Sequence, residues 1–92
     1  MAGILYTYDV ISGKQEDPRR TKFNKELYGY RYKWETKVGL KQSRKLGLLT
    51  TKNGRKVADS VILVSNDYEI DFDDFFDKYS DVVTVYKFKV TD

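Results

Sequence analysis

The stretch VADSVILVSNDYEIDFDDFFDKY, residues 57–79, decides the fold class because it holds both kinds of secondary structure in one run. Its first part, residues 57–65, ends in a nearly continuous apolar run, which is typical of a strand buried on both faces. Its second part spaces four aromatic residues as on one face of an amphipathic helix. They are Phe72, Phe75, Phe76 and Tyr79. The stretch therefore predicts a strand and then a helix from about 72 to 79.

Upstream of this stretch, the chain begins with a second strand and helix. Residues 3–10 are rich in strand-forming side chains. Asp17 and Pro18 suit the cap and first position of a helix, and Gly29 is a suitable C-terminal stop. Residues 82–90 again alternate and close the chain with a strand.

The middle of the chain is less regular. Residues 30–37 alternate aromatic and charged side chains, which predicts a strand. Residues 42–51 are interpreted as a weak strand or a basic arm, and Asn53-Gly54 after them is a hairpin signal. We therefore expect a basic insertion at about 35–56.

Together these segments predict one domain, residues 1–92, with the order strand, helix, strand, inserted arm, strand, helix, strand. Two βαβ halves of this kind form the ferredoxin-like split βαβ, an α+β fold. Its antiparallel sheet carries both helices on one face. In the second helix we expect Asp71 to be the cap, Ile70 to form a hydrophobic staple with Phe75, and acids such as Asp73 to point to water.

Charge is strongly segregated along the chain. Residues 13–56 contain fourteen Lys and Arg against four acids, whereas residues 66–81 contain seven acids and one Lys. A basic block this dense predicts a phosphate-rich partner, namely DNA or RNA. The predicted contacts are Arg19, Arg20, Lys22, Lys25, Arg31, Lys33, Lys41, Arg44, Lys45, Arg55 and Lys56. The alternative is a protein interface, in which the basic block meets an acidic protein or the acidic helix of a second copy.

Aromatic residues interleaved with the basic ones suggest a second kind of contact. Tyr32 and Trp34 alternate with Arg31 and Lys33, a pattern that suits stacking on bases beside backbone contacts. The alternative is that these aromatics form core beneath the helices, which is the commoner role of one aromatic strand face.

The composition also excludes several classes of site. The chain has no Cys and no His, so it has no disulfide, no thiolate metal site and no His general base. Metal chemistry would use carboxylates, which favour Mg²⁺ or Mn²⁺. No apolar run is long enough for a membrane span, and the N-terminus lacks the pattern of a signal peptide, so we expect a cytoplasmic protein without membrane contact.

Several short strings resemble a known family. They are Tyr8-Asp9-Val10, Arg19-Arg20-Thr21-Lys22, Leu27-Tyr28-Gly29-Tyr30 and Asp59-Ser60-Val61-Ile62-Leu63-Val64. Over residues 3–30 and 58–90 the chain resembles the small CRISPR-associated adaptation subunit, the Cas-two family, and its VapD-type toxin relatives. The resemblance implies a ferredoxin-like dimer whose two sheets face each other.

The resemblance also implies two activities. Some members of that family are metal-dependent nucleases that use the Asp ending the first strand, which corresponds to Asp9 here; Arg19 and Arg20 match basic residues after the loop. In adaptation the subunit is a scaffold for duplex DNA. The alternative for Asp9 is an ordinary residue at a strand end that bonds loop amides.

From the sequence we therefore expect a small homodimeric nucleic-acid-binding protein that contacts phosphates through a basic helix and arm. Two alternatives stay open. The first is a Mg²⁺- or Mn²⁺-dependent endonuclease that uses Asp9 across a dimer axis. The second is an interaction or inhibitor module whose basic face meets an acidic protein.

Overall fold

A computed structural model describes residues 3–91 as an α+β fold with two antiparallel sheets. The strands are β1 (Gly3–Val10), β2 (Gly29–Thr36), β3 (Gly39–Leu46), β4 (Arg55–Ala58), β5 (Val61–Val64) and β6 (Val83–Val90). The helices are α1 (Pro18–Tyr28), α2 (Leu48–Thr51) and α3 (Glu69–Lys78), and a 3₁₀ turn over Asn66–Tyr68 precedes α3.

The main sheet has four strands in the order β4-β5-β1-β6, and each neighbouring pair is antiparallel. One face of this sheet packs against α1 and α3. The buried core on that face is mostly aromatic and aliphatic. It comprises Ile4, Tyr6, Tyr8, Phe23, Leu27, Leu49, Ile62, Val64, Phe72, Phe75, Phe76, Tyr79, Val82 and Val83. Tyr6 and Tyr8 of β1 belong to this core, and the predicted stripe of Phe72, Phe75, Phe76 and Tyr79 is confirmed as buried.

The first helix is bounded as its sequence predicts. The Asp17 carboxylate accepts a hydrogen bond of 2.8 Å from the backbone N–H of Arg19, which satisfies one of the free donors of the first turn. Pro18 occupies the start of α1. Gly29 ends the helix with φ of 83°, a left-handed value that favours glycine.

The predicted position of the inserted arm is wrong. The strand expected at 30–37 does not join the main sheet. Within the described residues 3–91, β2 pairs with β3 alone, in full register from Gly29–Leu46 to Thr36–Gly39. The arm outside the main sheet is thus the β2–β3 hairpin, which begins at Gly29 and not at about residue 35. Alternation identifies a strand, but it does not say which sheet the strand joins.

The segment after the hairpin also differs from expectation. Residues 48–51 form the short helix α2, because burying Leu49 in the core favours a helical turn over an extended arm. Asn53 has the left-handed φ of 58° that its turn signal predicts, but it connects α2 to β4 and does not close a hairpin. The strand predicted over 57–65 is two strands, β4 and β5, separated by a turn at Asp59-Ser60.

The start of α3 is earlier than predicted. Asp71 lies inside α3 and does not cap it; the N-cap of α3 is Tyr68, which makes no capping hydrogen bond through its side chain. The Ser65 hydroxyl caps the preceding 3₁₀ turn, where it accepts a 3.2 Å hydrogen bond from the backbone N–H of Asp67. Ile70 is 76% exposed, so the expected staple with Phe75 is wrong. Asp73 does not simply face water either, because it accepts a 2.8 Å hydrogen bond from the Tyr6 hydroxyl. Among residues 3–91, no helix is both long and apolar enough to cross a membrane.

Candidate nucleic-acid interface

The β2–β3 hairpin stands away from the core. Every residue from 30 to 42 is exposed, on both faces of the hairpin, and only Ser43 in the rest of β3 is partly covered. A two-residue turn at Lys37-Val38 joins the strands, and the Thr36 hydroxyl donates a 2.9 Å hydrogen bond to the Gly39 carbonyl. The hairpin is thus an ordered projection without a core of its own.

The base of the hairpin is a tight crossing of two backbones. A Cβ on Gly29 would lie 2.3 Å from the Lys45 carbonyl oxygen, and one on Gly47 would lie 2.3 Å from the Leu27 carbonyl oxygen. Only glycine fits at such approaches. These two glycines therefore position the hairpin against the end of α1.

The strand register assigns the side chains to two faces. One face carries Tyr30, Tyr32 and Trp34 from β2, together with Lys41, Ser43 and Lys45, their partners on β3. We call these six residues the aromatic face. The other face carries Arg31, Lys33 and Glu35, with Arg44, Gln42 and Leu40 opposite them. The prediction that Tyr32 and Trp34 share a face is confirmed, and their alternative role as core is wrong, since they are 45% and 44% exposed.

The hairpin is strongly cationic. Residues 29–46 contain six basic side chains and one acid, Glu35. Within the part of the chain that the structure describes, none of those basic side chains forms an ion pair with a carboxylate. Arg31 and Arg44 stand directly opposite each other in the register. Like charges in that relationship destabilise a strand pair.

Helix α1 adds basic residues beside the hairpin. Lys25 lies over the Tyr30 ring, with its ammonium nitrogen 5.1 Å from the ring centroid. Lys22, Lys25 and Lys45 line an open cleft of about 430 Å³ between the helix and the hairpin base. Leu46 and Leu48 supply apolar wall, and Glu26 is the one acid in the lining. Basic residues of α1 and of the hairpin base thus line the same cleft.

Arg19 differs from the other basic residues of α1 that were predicted to contact nucleic acid, because it forms contacts within the protein. Its guanidinium pairs with Asp81 at 2.9 Å and donates a 2.6 Å hydrogen bond to the Lys78 carbonyl. It also lies 5.0 Å from the Tyr79 ring centroid. The Arg19 hydrogen bond holds the pKa of the Asp81 carboxyl below its usual value. Arg19 therefore joins the start of α1 to the end of α3, while Arg20, Lys22 and Lys25 are exposed.

A second polar contact between the helices centres on Glu26. Its carboxylate accepts hydrogen bonds of 2.5 Å from both the Lys78 ammonium and the Tyr79 hydroxyl. Burial opposes the charged form, but these two bonds outweigh it and keep the pKa of Glu26 below its usual value of 4.5. Burial and the Glu26 carboxylate together raise the pKa of Tyr79 to about 12.

The acidic helix α3 is partly neutralised inside the molecule. The Lys87 ammonium on β6 bonds Glu69 at 2.7 Å and Asp73 at 3.0 Å, and these bonds raise the pKa of Lys87. Burial, with the Asp73 hydrogen bond, likewise raises the pKa of the Tyr6 hydroxyl well above its ordinary value. Two of the seven acids are thus used to attach α3 to the sheet.

The remaining predicted basic contacts lie on β4. Arg55 is exposed and pairs in register with Leu63. The Lys56 ammonium lies 3.5 Å from Asp59 and 5.3 Å from the Tyr28 ring centroid, close to the end of α1. Lys56 and Arg20 line a cleft there together with Lys25 and Gly29. Arg55 and Lys56 thus lie outside the hairpin, and Lys56 borders the basic residues of α1.

Asp9, the predicted metal ligand, is exposed near the end of β1 and pairs in register with Thr84. Within residues 3–91, no group of three or more acidic side chains is close enough to hold a metal ion. A metal site built on Asp9 therefore requires further ligands, such as those from a second molecule.

The face of the main sheet that does not contact the helices carries a cluster of apolar side chains, with the polar Thr7, Asp9, Thr84 and Arg55 around it. Its side chains include Leu5 on β1, Val61 and Leu63 on β5, and Tyr86 and Phe88 on β6. Tyr86 and Phe88 are 54% and 55% exposed. We call these five residues the open sheet face. Asp9 extends from the same face, since Leu5, Thr7 and Asp9 alternate with the buried Tyr6 and Tyr8.

Two features of this surface were missed from the sequence. The role of Gly47 has no local signal, because it depends on contact with Gly29. The open sheet face did have a signal: Thr84, Tyr86 and Phe88 recur at every second position opposite Lys87 and Lys89. Lys87 and Lys89 form ion pairs with acids of α3, so they lie on the side of β6 that faces the helices. Tyr86 and Phe88 lie on the opposite side, where they are exposed.

No protein-family model, no curated protein and no solved structure matches this chain.

Proposed function

We propose that this protein binds nucleic acid through the β2–β3 hairpin and the exposed basic residues of α1. The observation that carries the proposal is the hairpin itself, an exposed projection with six basic side chains and one acid. Lys and Arg contacts to phosphate dominate nucleic-acid affinity and need no particular sequence. The proposed binding is therefore sequence-tolerant.

The arrangement of the basic side chains indicates that the hairpin serves binding and does not stabilise the fold. Arg31 opposite Arg44 costs stability, and no described carboxylate offsets it. The hairpin also contributes no residue to the buried core apart from its connection at the base. A phosphate backbone lying between the two guanidiniums would relieve their repulsion, because each can donate a forked pair of hydrogen bonds.

For the finer fold we propose a ferredoxin-like architecture. The order β4-β5-β1-β6, with α1 following β1 and α3 following β5, supports it. In this reading residues 29–54, the hairpin and α2, are an insertion between α1 and the second strand of the sheet. The insertion carries most of the proposed binding surface, so the proposed function depends on the insertion more than on the ferredoxin-like fold.

We further propose that the protein is a homodimer through the open sheet face. An uncovered apolar sheet face favours association, and two sheets can pack face to face. The same patch would then meet itself across a two-fold axis. The exposed aromatic rings of Tyr86 and Phe88 support this surface as the interface.

A second candidate function follows from the place of Asp9. Because Asp9 extends from the open sheet face, dimerisation through that face would bring two carboxylates to one interface. Paired carboxylates suit Mg²⁺ or Mn²⁺, which can activate water for attack on a phosphodiester. This candidate is a metal-dependent nuclease, and it depends on the dimer.

The test of the main proposal is fluorescence anisotropy of labelled strands and duplexes titrated with the protein at low and near-physiological salt. We expect binding that weakens steeply with salt, because phosphate contacts release counterions. Absence of binding even at low salt would overturn the proposal. It would favour the alternative, in which the basic surface contacts an acidic protein.

A further inference from the structure

The three rings of the aromatic face form a ladder along β2. The ring centroids of Tyr30 and Tyr32 are 5.9 Å apart, and those of Tyr32 and Trp34 are 5.6 Å apart, with only 25° between the latter planes. Among residues 3–91, none of the buried core residues belongs to the hairpin, and the residue opposite Tyr32 is the small Ser43. The ladder thus presents its rings to solvent at an ordered strand spacing.

Cations flank this ladder on the same face. Lys45 stands opposite Tyr30, and Lys41 stands opposite Trp34. Lys25 of α1 lies over Tyr30 at the base of the hairpin. The cleft lined by Lys22, Lys25 and Lys45 continues the ladder toward α1. The rings of β2 and the lysines of β3 therefore lie side by side on one face, from the hairpin tip to the helix, with Ser43 between the two lysines.

The opposite face of the hairpin has a different character. It has no aromatic residue, and its basic residues are Arg31, Lys33 and Arg44. A ligand that needed charge alone would be served equally well by both faces. The segregation of all three rings to one face indicates a ligand with flat apolar surfaces as well as phosphates.

We infer that the aromatic face binds a single-stranded segment of nucleic acid, with unpaired bases stacked on Tyr30, Tyr32 and Trp34 and phosphates held by Lys41, Lys45 and Lys25. Bases within a duplex stack on each other and offer no free face, so a ladder of exposed rings selects unpaired bases. The inference rests on the proposed function and adds to it the form of the strand. It differs from the duplex binding that the family resemblance implied.

The test compares three labelled ligands of equal phosphate count: a pyrimidine single strand, a strand of the same length in which abasic sites replace all bases, and a blunt duplex. Trp34 is the sole Trp of the chain, so Trp fluorescence reports on this face. We expect the base-bearing strand to quench Trp34 and to bind about tenfold more tightly than the abasic strand. Equal affinities for these two strands, with unchanged Trp34 fluorescence, would overturn the inference.

This comparison also separates the inference from the proposed function. If the abasic and base-bearing strands bind equally well and with the same salt dependence, the proposed phosphate contacts are supported and the proposed stacking is contradicted. Preference for the duplex would likewise overturn the inference alone. Failure of all three ligands to bind would overturn both.

A matched pair of variants gives an independent readout. Tyr32→Leu removes one of the three rings and should reduce the preference for the base-bearing strand over the abasic strand about twofold, while the abasic strand binds as before. Leu40→Ala, an exposed apolar change on the opposite face of the same hairpin, should leave the preference unchanged. A preference that survives Tyr32→Leu, with a loss of self-association measured by sedimentation, would assign the aromatic face to a second copy instead.

Discussion

Gly29 and Gly47 cross at the base of the hairpin so closely that a Cβ on Gly47 would lie 2.4 Å from the backbone nitrogen of Gly29. Gly29 ends α1 with a left-handed φ, and Gly47 precedes α2. This crossing sends the hairpin out from the end of α1 and returns the chain to the core at Leu49. The orientation of the proposed binding surface depends on it.

Gly47→Ala should therefore lower the free energy of unfolding by about 1–3 kcal/mol, because the added methyl group meets backbone atoms that cannot move independently. Chemical denaturation measures this loss, and Trp34 fluorescence should change because the hairpin shifts. The control is Gly13→Ala, whose Cβ would meet nothing within 4 Å and whose only cost is its φ of 87°. Wild-type stability and fluorescence in Gly47→Ala would contradict the role of the crossing.

The contact of Glu26 with Lys78 and Tyr79 should make stability depend on pH. A carboxyl group whose pKa is lowered on folding stabilises the fold above its unfolded-state pKa, and this contribution is lost as pH falls through the folded-state pKa. The free energy of unfolding of the wild type should thus decrease as the pH falls below 4.5, the usual pKa of Glu. In Glu26→Gln the decrease should be smaller, as measured by denaturation at about pH 7 and about pH 3. Glu35→Gln, on the exposed hairpin, is the control; identical pH profiles for the wild type and Glu26→Gln would refute the proposed linkage.

The homodimer proposal predicts a change in molecular mass. Phe88→Glu places a charge on the open sheet face, beside Leu5, where a face-to-face interface would have to bury it. Sedimentation equilibrium should give a dimer for the wild type and a monomer for Phe88→Glu. The control is Val38→Glu, an exposed apolar position at the hairpin tip, which should leave the mass unchanged. A monomeric wild type would contradict the proposal that the open sheet face is a dimer interface.

The nuclease candidate predicts that Asp9→Asn abolishes cleavage stimulated by Mg²⁺ or Mn²⁺ while strand affinity stays the same or increases, because one negative charge is lost. Cleavage of a labelled strand and anisotropy on the same preparation measure the two properties. Phe88→Glu is the matched variant, since it should also stop cleavage if two carboxylates must meet. Cleavage that persists in Asp9→Asn would exclude this site.

Local signals predicted the elements of the fold better than their connections. Asp17-Pro18 and Gly29 bound α1 because capping acts within a few residues, and the spacing from Phe72 to Tyr79 identified the buried side of α3. The Asp59-Ser60 turn was missed because an apolar run surrounds it and Ser60, not glycine, adopts a φ of 60°. Alternation at Tyr30, Tyr32 and Trp34 predicted a strand, but only pairing with β3 shows that its rings are exposed.

For the candidate site, composition predicted the charge but not its distribution. The excess of Lys and Arg over residues 13–56 pointed to a basic surface. It could not separate Arg19, which is paired with Asp81, from Arg31 and Arg44, which face each other on the hairpin. Such pairings join residues distant in sequence, so they depend on the packing of α1 against α3 and on the register of the hairpin.

The most direct test of the central claim, that the hairpin binds nucleic acid, is the salt dependence of binding by the double variant Arg31→Gln/Arg44→Gln. Removing this like-charge pair should leave stability unchanged or higher, so weaker binding cannot be attributed to unfolding. We expect lower affinity and a log–log salt slope that is shallower by about one unit per lost phosphate contact. Lys89→Gln, on the sheet edge opposite β4, should keep the wild-type slope. An unchanged affinity and slope in the double variant would contradict the account.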